Sequence, residues 1–183
     1  MEKRIFAVAE EFSGQDIKCI RKKLRITQKE FANLVNVSVT TVERWESGKK
    51  SITGPVVTLG KLLKENPQMA ASLKIPEKKY PLRLWYMCGN EICTVIDVDE
   101  LKREVEIKNF TSNFIYKAFG NNETPTFAQY EEFLEARCFP RDRDKMKLIL
   151  QDLGLPFYEP MLIIEKTQGR MAEDNFWIKI EKG

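Results

Sequence analysis

Four cysteines, several carboxylates and a scatter of arginines are the side chains in this 183-residue sequence that could do chemistry, and no histidine accompanies them. Without imidazole the usual proton shuttle is missing, and so are the triads and dyads that depend on it. Catalysis here would need carboxylate, lysine or cysteine chemistry. Cys19, Cys88, Cys93 and Cys138 form no Cys-x-x-Cys pair, so neither a zinc site nor a redox dithiol follows from their spacing. They read as free thiols in a reducing cytosol. Cys88 and Cys93 flank a turn without facing each other, which argues against a disulfide. Asp97, Asp99 and Glu100 have the chemistry of metal ligands or acid–base pairs, but their place beside a turn reads more simply as a solvated loop. Arg137, Arg141, Arg143 and Arg170 could hold an anion or a partner's acid; surface placement is the simpler reading. We expect no catalytic residue, no metal, no cofactor and no enzyme.

Charge is distributed unevenly. Residues 1–76 carry 14 Lys/Arg against 8 Asp/Glu, a net of +6, whereas residues 77–183 carry 16 against 19, a net of −3. The basic part is the candidate for a polyanionic partner. No apolar stretch reaches the roughly 20 residues needed to cross a bilayer, and the opening MEKRIFAVAEEF has no long apolar core. These features lead us to expect a cytoplasmic protein with no membrane partner.

The elements that must position these side chains follow from periodicity. From Gln15 to Leu63 apolar residues recur at three- and four-residue spacing, as in Ile17, Ile20, Leu24 and then Phe31, Leu34, Val35, which is the helical period. Two prolines bracket the charged run between Pro76 and Pro81, and each disfavours helix in the residue before it. The boundary belongs there, with domains over 1–76 and 82–183. Beyond it Leu82, Leu84 and Tyr86 alternate with Arg83, Trp85 and Met87, a Gly89-Asn90 turn follows, and Ile92 to Val98 alternates in turn. Residues 104–108 add a third antiparallel strand, one face apolar and the other charged. Three helices come next. Thr124-Pro125 caps and opens the first; the second starts near Asp144 and stops at Gly154; the third runs from near Pro160 to near Gly169. Phe176, Ile178 and Ile180 return as a closing strand. The fold class is thus an all-α domain followed by an α+β domain, an antiparallel sheet with about three helices.

Between Thr27 and Lys50 the sequence contains two short helices joined by a tight turn. Thr27 and Glu30 form a capping box, Ala32 is small enough for two crossing helices, Asn36 tolerates the left-handed turn, Ser38 caps the second helix and Gly48 stops it. Val42 and Trp45 face inward, leaving Val39, Thr40, Glu43 and Arg44 outward. At Arg21, Leu24, Thr27, Gln28, Phe31, Ala32, Val37, Ser38, Thr41, Val42, Trp45, Glu46 and Gly48 the chain resembles the Cro/repressor-type, or XRE-type, helix-turn-helix family. Its continuation, Thr53-Gly54-Pro55, Leu59, Leu62, Leu63 and Asn66-Pro67, is similar to the helix-turn-helix of HigA- and MqsA-type antitoxins, without the zinc-binding half of the MqsA type. The likeness spans about residues 14–70, and nothing after Pro81 resembles a known family.

This resemblance implies a sequence-specific repressor whose second helix enters the major groove of double-stranded DNA. Thr40 and Arg44, one helical turn apart, would then read bases, Arg44 as a fork on guanine and Val39 against a thymine methyl. Ser38, Thr41 and Glu43 share that helix. Gln28 would hold a phosphate, and Lys49, Lys50 and Ser51 the backbone beyond. Arg21 and Glu46 would form a partly buried ion pair with a structural role. The family also implies a homodimer on an inverted-repeat operator. For residues 82–183 the favoured role is dimerisation or capture of a protein partner such as a toxin; a ligand-sensing regulator and a DNA-targeted enzyme are the alternatives.

Overall fold

The computed structural model describes residues 5–183, so the first four residues of the expected N-terminal domain lie outside it. The chain divides into two compact units, one ending at Lys74 and the other running from Ile75 to Gly183.

The first unit is helical throughout: α1 (Gly14–Leu24), α2 (Gln28–Leu34), α3 (Val39–Ser47), α4 (Pro55–Glu65) and α5 (Pro67–Leu73). Each short helix has a local reason to start. Ser13 and Asp16 cap α1 reciprocally, Thr27 and Glu30 do the same for α2, and the Ser38 hydroxyl accepts from the Thr41 amide to open α3. In α2 this cap holds the exposed Glu30 carboxyl down at about 2, chiefly through the Thr27 amide. Arg25 and Asn36 take the left-handed conformation, φ 58° and 56°, that ends α1 and turns the chain between α2 and α3. Helix α5 was not foreseen, because the apolar period stops at Leu63. Pro67 supplies its pre-set first residue, and Ala70 packs against the core.

Ile17, Ile20, Phe31, Ala32, Val42, Ile52 and Leu63 form that core, with Phe12, Trp45 and Leu59 packed around it. Phe12 and Ile52 exchange two backbone hydrogen bonds of 2.8 Å, fastening the segment before α1 to the loop after α3. Gly14 explains how α1 and α3 approach so closely: a Cβ there would lie 2.2 Å from the Trp45 carbonyl oxygen.

The second unit contains β1 (Leu82–Cys88), β2 (Glu91–Asp99), β3 (Glu104–Asn109), a 3-10 turn (Phe114–Tyr116), α6 (Phe127–Ala136), α7 (Met146–Asp152), α8 (Pro160–Thr167) and β4 (Phe176–Lys182). The strands form one antiparallel sheet in the order β3-β2-β1-β4, so the last strand returns beside the first, as its alternation implied. On one face Leu82, Leu84, Tyr86, Ile96, Val98 and Ile178 meet Tyr130, Phe133, Leu134, Ile163 and Ile164 from the helices. Tyr86 anchors this layer, edge-on to Phe133 and stacked on Phe176.

Four expectations for this unit need correction. Helix α6 is capped by Thr126, not opened by Thr124-Pro125, because only Thr126 has a glutamine three residues on, Gln129, to close a capping box. The second face of the sheet is not a solvated charged face. Arg83 and Asp97 are register partners there, both buried, and Asp97 accepts from Arg83 at 2.6 and 2.7 Å and from the Lys79 amide at 3.1 Å. Asp99 is buried as well and shapes its turn by accepting from the Lys102 amide, which leaves Glu100 as the exposed member of the three. Arg137 is not on the surface. It lies on the same inward stripe as Tyr130, Phe133 and Leu134, and its guanidinium binds Asp174 and the carbonyls of Gly169 and Phe176, so the loop between α8 and β4 is tied to the end of α6.

Candidate nucleic-acid interface

Helix α3 has two unlike sides. Its inner side is locked into the unit: Val42 is fully buried, Trp45 packs against the core, and the Glu46 carboxylate, 6% exposed, accepts from Arg21 Nε at 2.6 Å and Nη2 at 2.9 Å. A third Arg21 donor, Nη1, reaches the Ile26 carbonyl at 3.1 Å in the turn between α1 and α2. The hydrogen bonds from Arg21 hold the Glu46 carboxyl below its ordinary range against the opposing effect of burial, and those to Glu46 raise the Arg21 guanidinium. The ion pair implied by the family likeness is therefore present and joins α1 to α3.

The outer side presents Thr40, Glu43 and Arg44, all exposed. These are spaced three and four residues apart and form one stripe. Val39 and Thr41 are half-buried at the start of the helix, and the Ser38 and Thr41 hydroxyls share a 2.8 Å hydrogen bond, so both are partly spent on the cap. Lys49, Lys50 and Ser51 follow, exposed, after Gly48 donates its amide to the Arg44 carbonyl and closes the helix. Among the described residues no carboxylate pairs with Arg44, Lys49 or Lys50. A rigid helix thus displays a row of polar side chains capable of bonding base edges, beside uncompensated cations suited to phosphate.

Gln28 is placed differently from the expectation of a freely directed phosphate donor. Its Nε2 donates to Glu46 Oε2 at 3.0 Å, so the carboxamide is the third group on that carboxylate. No sequence pattern signalled this bond; it depends on α2 crossing α3 at the last turn of the latter.

Among the described residues, no cluster of three or more carboxylate, thiol or imidazole groups could hold a metal ion, and no helix is long and apolar enough to cross a membrane.

Comparison with known proteins places this geometry. Residues 17–59 match the family described as Helix-turn-helix, and the capped α2, left-handed Asn36 and α3 are its two helices and turn. The segment is an XRE-type helix-turn-helix. Among curated proteins the chain is 36% identical over 56 residues to Antitoxin HigA-2 of Vibrio cholerae serotype O1; that stretch is 31% of this chain and 54% of that protein. The chain therefore spans about half the length of the relative it matches. Residues after Pro81 lie outside the family match.

Proposed function

We propose that the protein is a cytoplasmic, sequence-specific transcriptional repressor that reads double-stranded DNA through α3. The observation that carries this reading is the two-sidedness of that helix: Val42, Trp45 and Glu46 are fixed in the unit, while Thr40, Glu43 and Arg44 stand free on the opposite side. A helix held this firmly needs no ordering of its backbone on binding. Thr40 and Arg44 supply base discrimination, with Lys49, Lys50 and Ser51 on the phosphates beyond. One such helix covers few base pairs, so two copies on an inverted repeat are required for useful selectivity.

In the concrete version of this reading the protein is an antitoxin that also represses its own operon, and residues 82–183 grip the toxin. The likeness to Antitoxin HigA-2 supports it. So does the second unit, whose apolar layer is filled by side chains from sheet and helices. A cavity of about 560 Å³ in that unit is walled chiefly by charged residues, Lys78, Lys79, Asp97, Glu106 and Lys108 among them, which suits a small apolar ligand poorly. The protein acts by binding and not by catalysis.

Selection of bound duplexes from a random-sequence pool, followed by footprinting on the enriched sequence, tests the proposal. Enrichment of an inverted repeat with a guanine in each half-site, lost with Arg44→Ala, is the expected result. A chain that binds all sequences alike, or none, would sink it.

A further inference from the structure

The carboxylate of Glu46 is an acceptor only, and three groups donate to it: Nε and Nη2 of Arg21 and Nε2 of Gln28. This last bond fixes more than a distance. Because Glu46 cannot donate, the Gln28 carboxamide must turn its nitrogen towards it, which decides the orientation of the whole amide. One of the two Nε2 protons is then spent, and the other is left to donate. A DNA phosphate is likewise an acceptor only, so of the two ends of this amide only that second proton can serve it. Were the amide free to flip, its oxygen would face the phosphate half the time and repel it. Lys29, the next residue, is exposed and has no carboxylate partner among the described residues, so the surface beside Gln28 already suits an anion.

We infer that Glu46 is a positioning residue for DNA backbone binding: by holding one proton of the Gln28 carboxamide it aims the other at a phosphate. The Arg21–Glu46 ion pair thereby sets the grip of α2 on the duplex as well as the packing of α1 on α3. This rests on the DNA-binding reading above, and it makes a claim that a purely structural ion pair does not: the effect of Glu46 on DNA affinity passes through Gln28.

The test is a double-mutant cycle on the full chain with Gln28→Ala, Glu46→Gln and both together, titrated with a mixed-sequence duplex over a range of salt concentrations. Denaturant unfolding of each variant without DNA runs beside it. Gln28→Ala is expected to weaken duplex binding about tenfold, the size of one charge-assisted hydrogen bond, with no change in salt slope because a neutral donor releases no counterion. Glu46→Gln is expected to weaken it about twofold, since its own amide no longer dictates the orientation of Gln28 and a carboxamide free to flip is competent about half the time, and to have no further effect once Gln28 is alanine. The stability loss of Glu46→Gln should persist in both backgrounds. Additive losses of affinity, or a Glu46→Gln protein that binds like the wild type, would overturn the inference. Nitrogen-edited NMR of the wild type gives an arm independent of any variant: the two Nε2 protons of Gln28 should respond unequally to the duplex, and equal responses count against it. A wild type that binds no duplex removes the DNA-binding reading itself, whereas a wild type that binds with an additive cycle removes only the role given to Glu46.

Discussion

Arg83 on β1 and Asp97 on β2 stand directly opposite each other, and two hydrogen bonds of 2.6 and 2.7 Å join them with both side chains at least nine-tenths buried. The remaining Nη1 of Arg83 donates to the Pro76 carbonyl, and the Lys79 amide donates to Asp97, so the chain between the prolines is laid over this pair. Removing one partner leaves an uncompensated buried charge. Arg83→Met or Asp97→Leu alone should each destabilise the protein by about 3–5 kcal/mol, while the double replacement should recover much of that loss. Denaturant unfolding decides it; single variants with wild-type midpoints would show that the pair is not desolvated in solution.

On DNA, Arg44 and Lys50 should behave differently. Arg44→Ala is expected to cost about 1–3 kcal/mol on the selected sequence and to relax preference at one base pair. Lys50→Ala should weaken specific and random duplexes alike and lower the salt slope by about one unit. Equal losses on both kinds of duplex for Arg44→Ala would move that residue from the bases to the backbone.

The Arg21–Glu46 pair carries a pH signature. Bonding to Arg21 lowers the folded-state pKa of Glu46 below its ordinary value of 4.5. A depressed carboxyl contributes stability that is present above the unfolded pKa and is lost as pH falls through the folded one. Wild type should therefore lose stability on acidification below about pH 4.5. Glu46→Gln should lose less over the same range, although it starts less stable. Parallel curves for the two proteins from neutral pH into the acid range would contradict the assignment.

Much of the first unit is legible in its sequence because its signals are local. Thr27 with Glu30, the left-handed Asn36 and the Ser38 cap all act within a turn of where they stand. The misreadings come from contacts that alternation cannot express. Arg83 and Asp97 look solvated only if nothing covers the polar face of the hairpin, and their cover is the very segment read as a linker. Arg137 follows Tyr130, Phe133 and Leu134 at helical spacing, so its position pointed inward although its charge suggested otherwise. The hydrogen bond of Gln28 joins helices 18 positions apart and has no local signature.

Assembly can be predicted from the limited reach of one α3. The full chain should sediment as a dimer and protect two half-sites whose centres lie about 34 Å apart or a multiple of that. In the first unit Leu62, Met69 and Leu73 are each more than 40% exposed on α4 and α5. Replacing Leu73 with Glu therefore separates two interfaces: an unchanged dimer assigns it to residues 82–183, and a monomer assigns it to α5. A wild-type monomer protecting a single asymmetric half-site would overturn the dimer.

The pairing of β1 with β4 has a mechanical consequence. Leu82 lies opposite Lys182, and the Gly183 amide donates to the Pro81 carbonyl, so residues 81 and 183 sit at the same end of two antiparallel strands. Tension applied between those points would not shear the strands past one another, which would load every rung together. It would peel them apart from one end, loading a single rung at a time, as a zipper opens. The fastening of Lys78 to the Glu181 carbonyl, which lies across that end, would take the strain first. A unit built this way resists heat with its whole core and resists pulling with only its last rung.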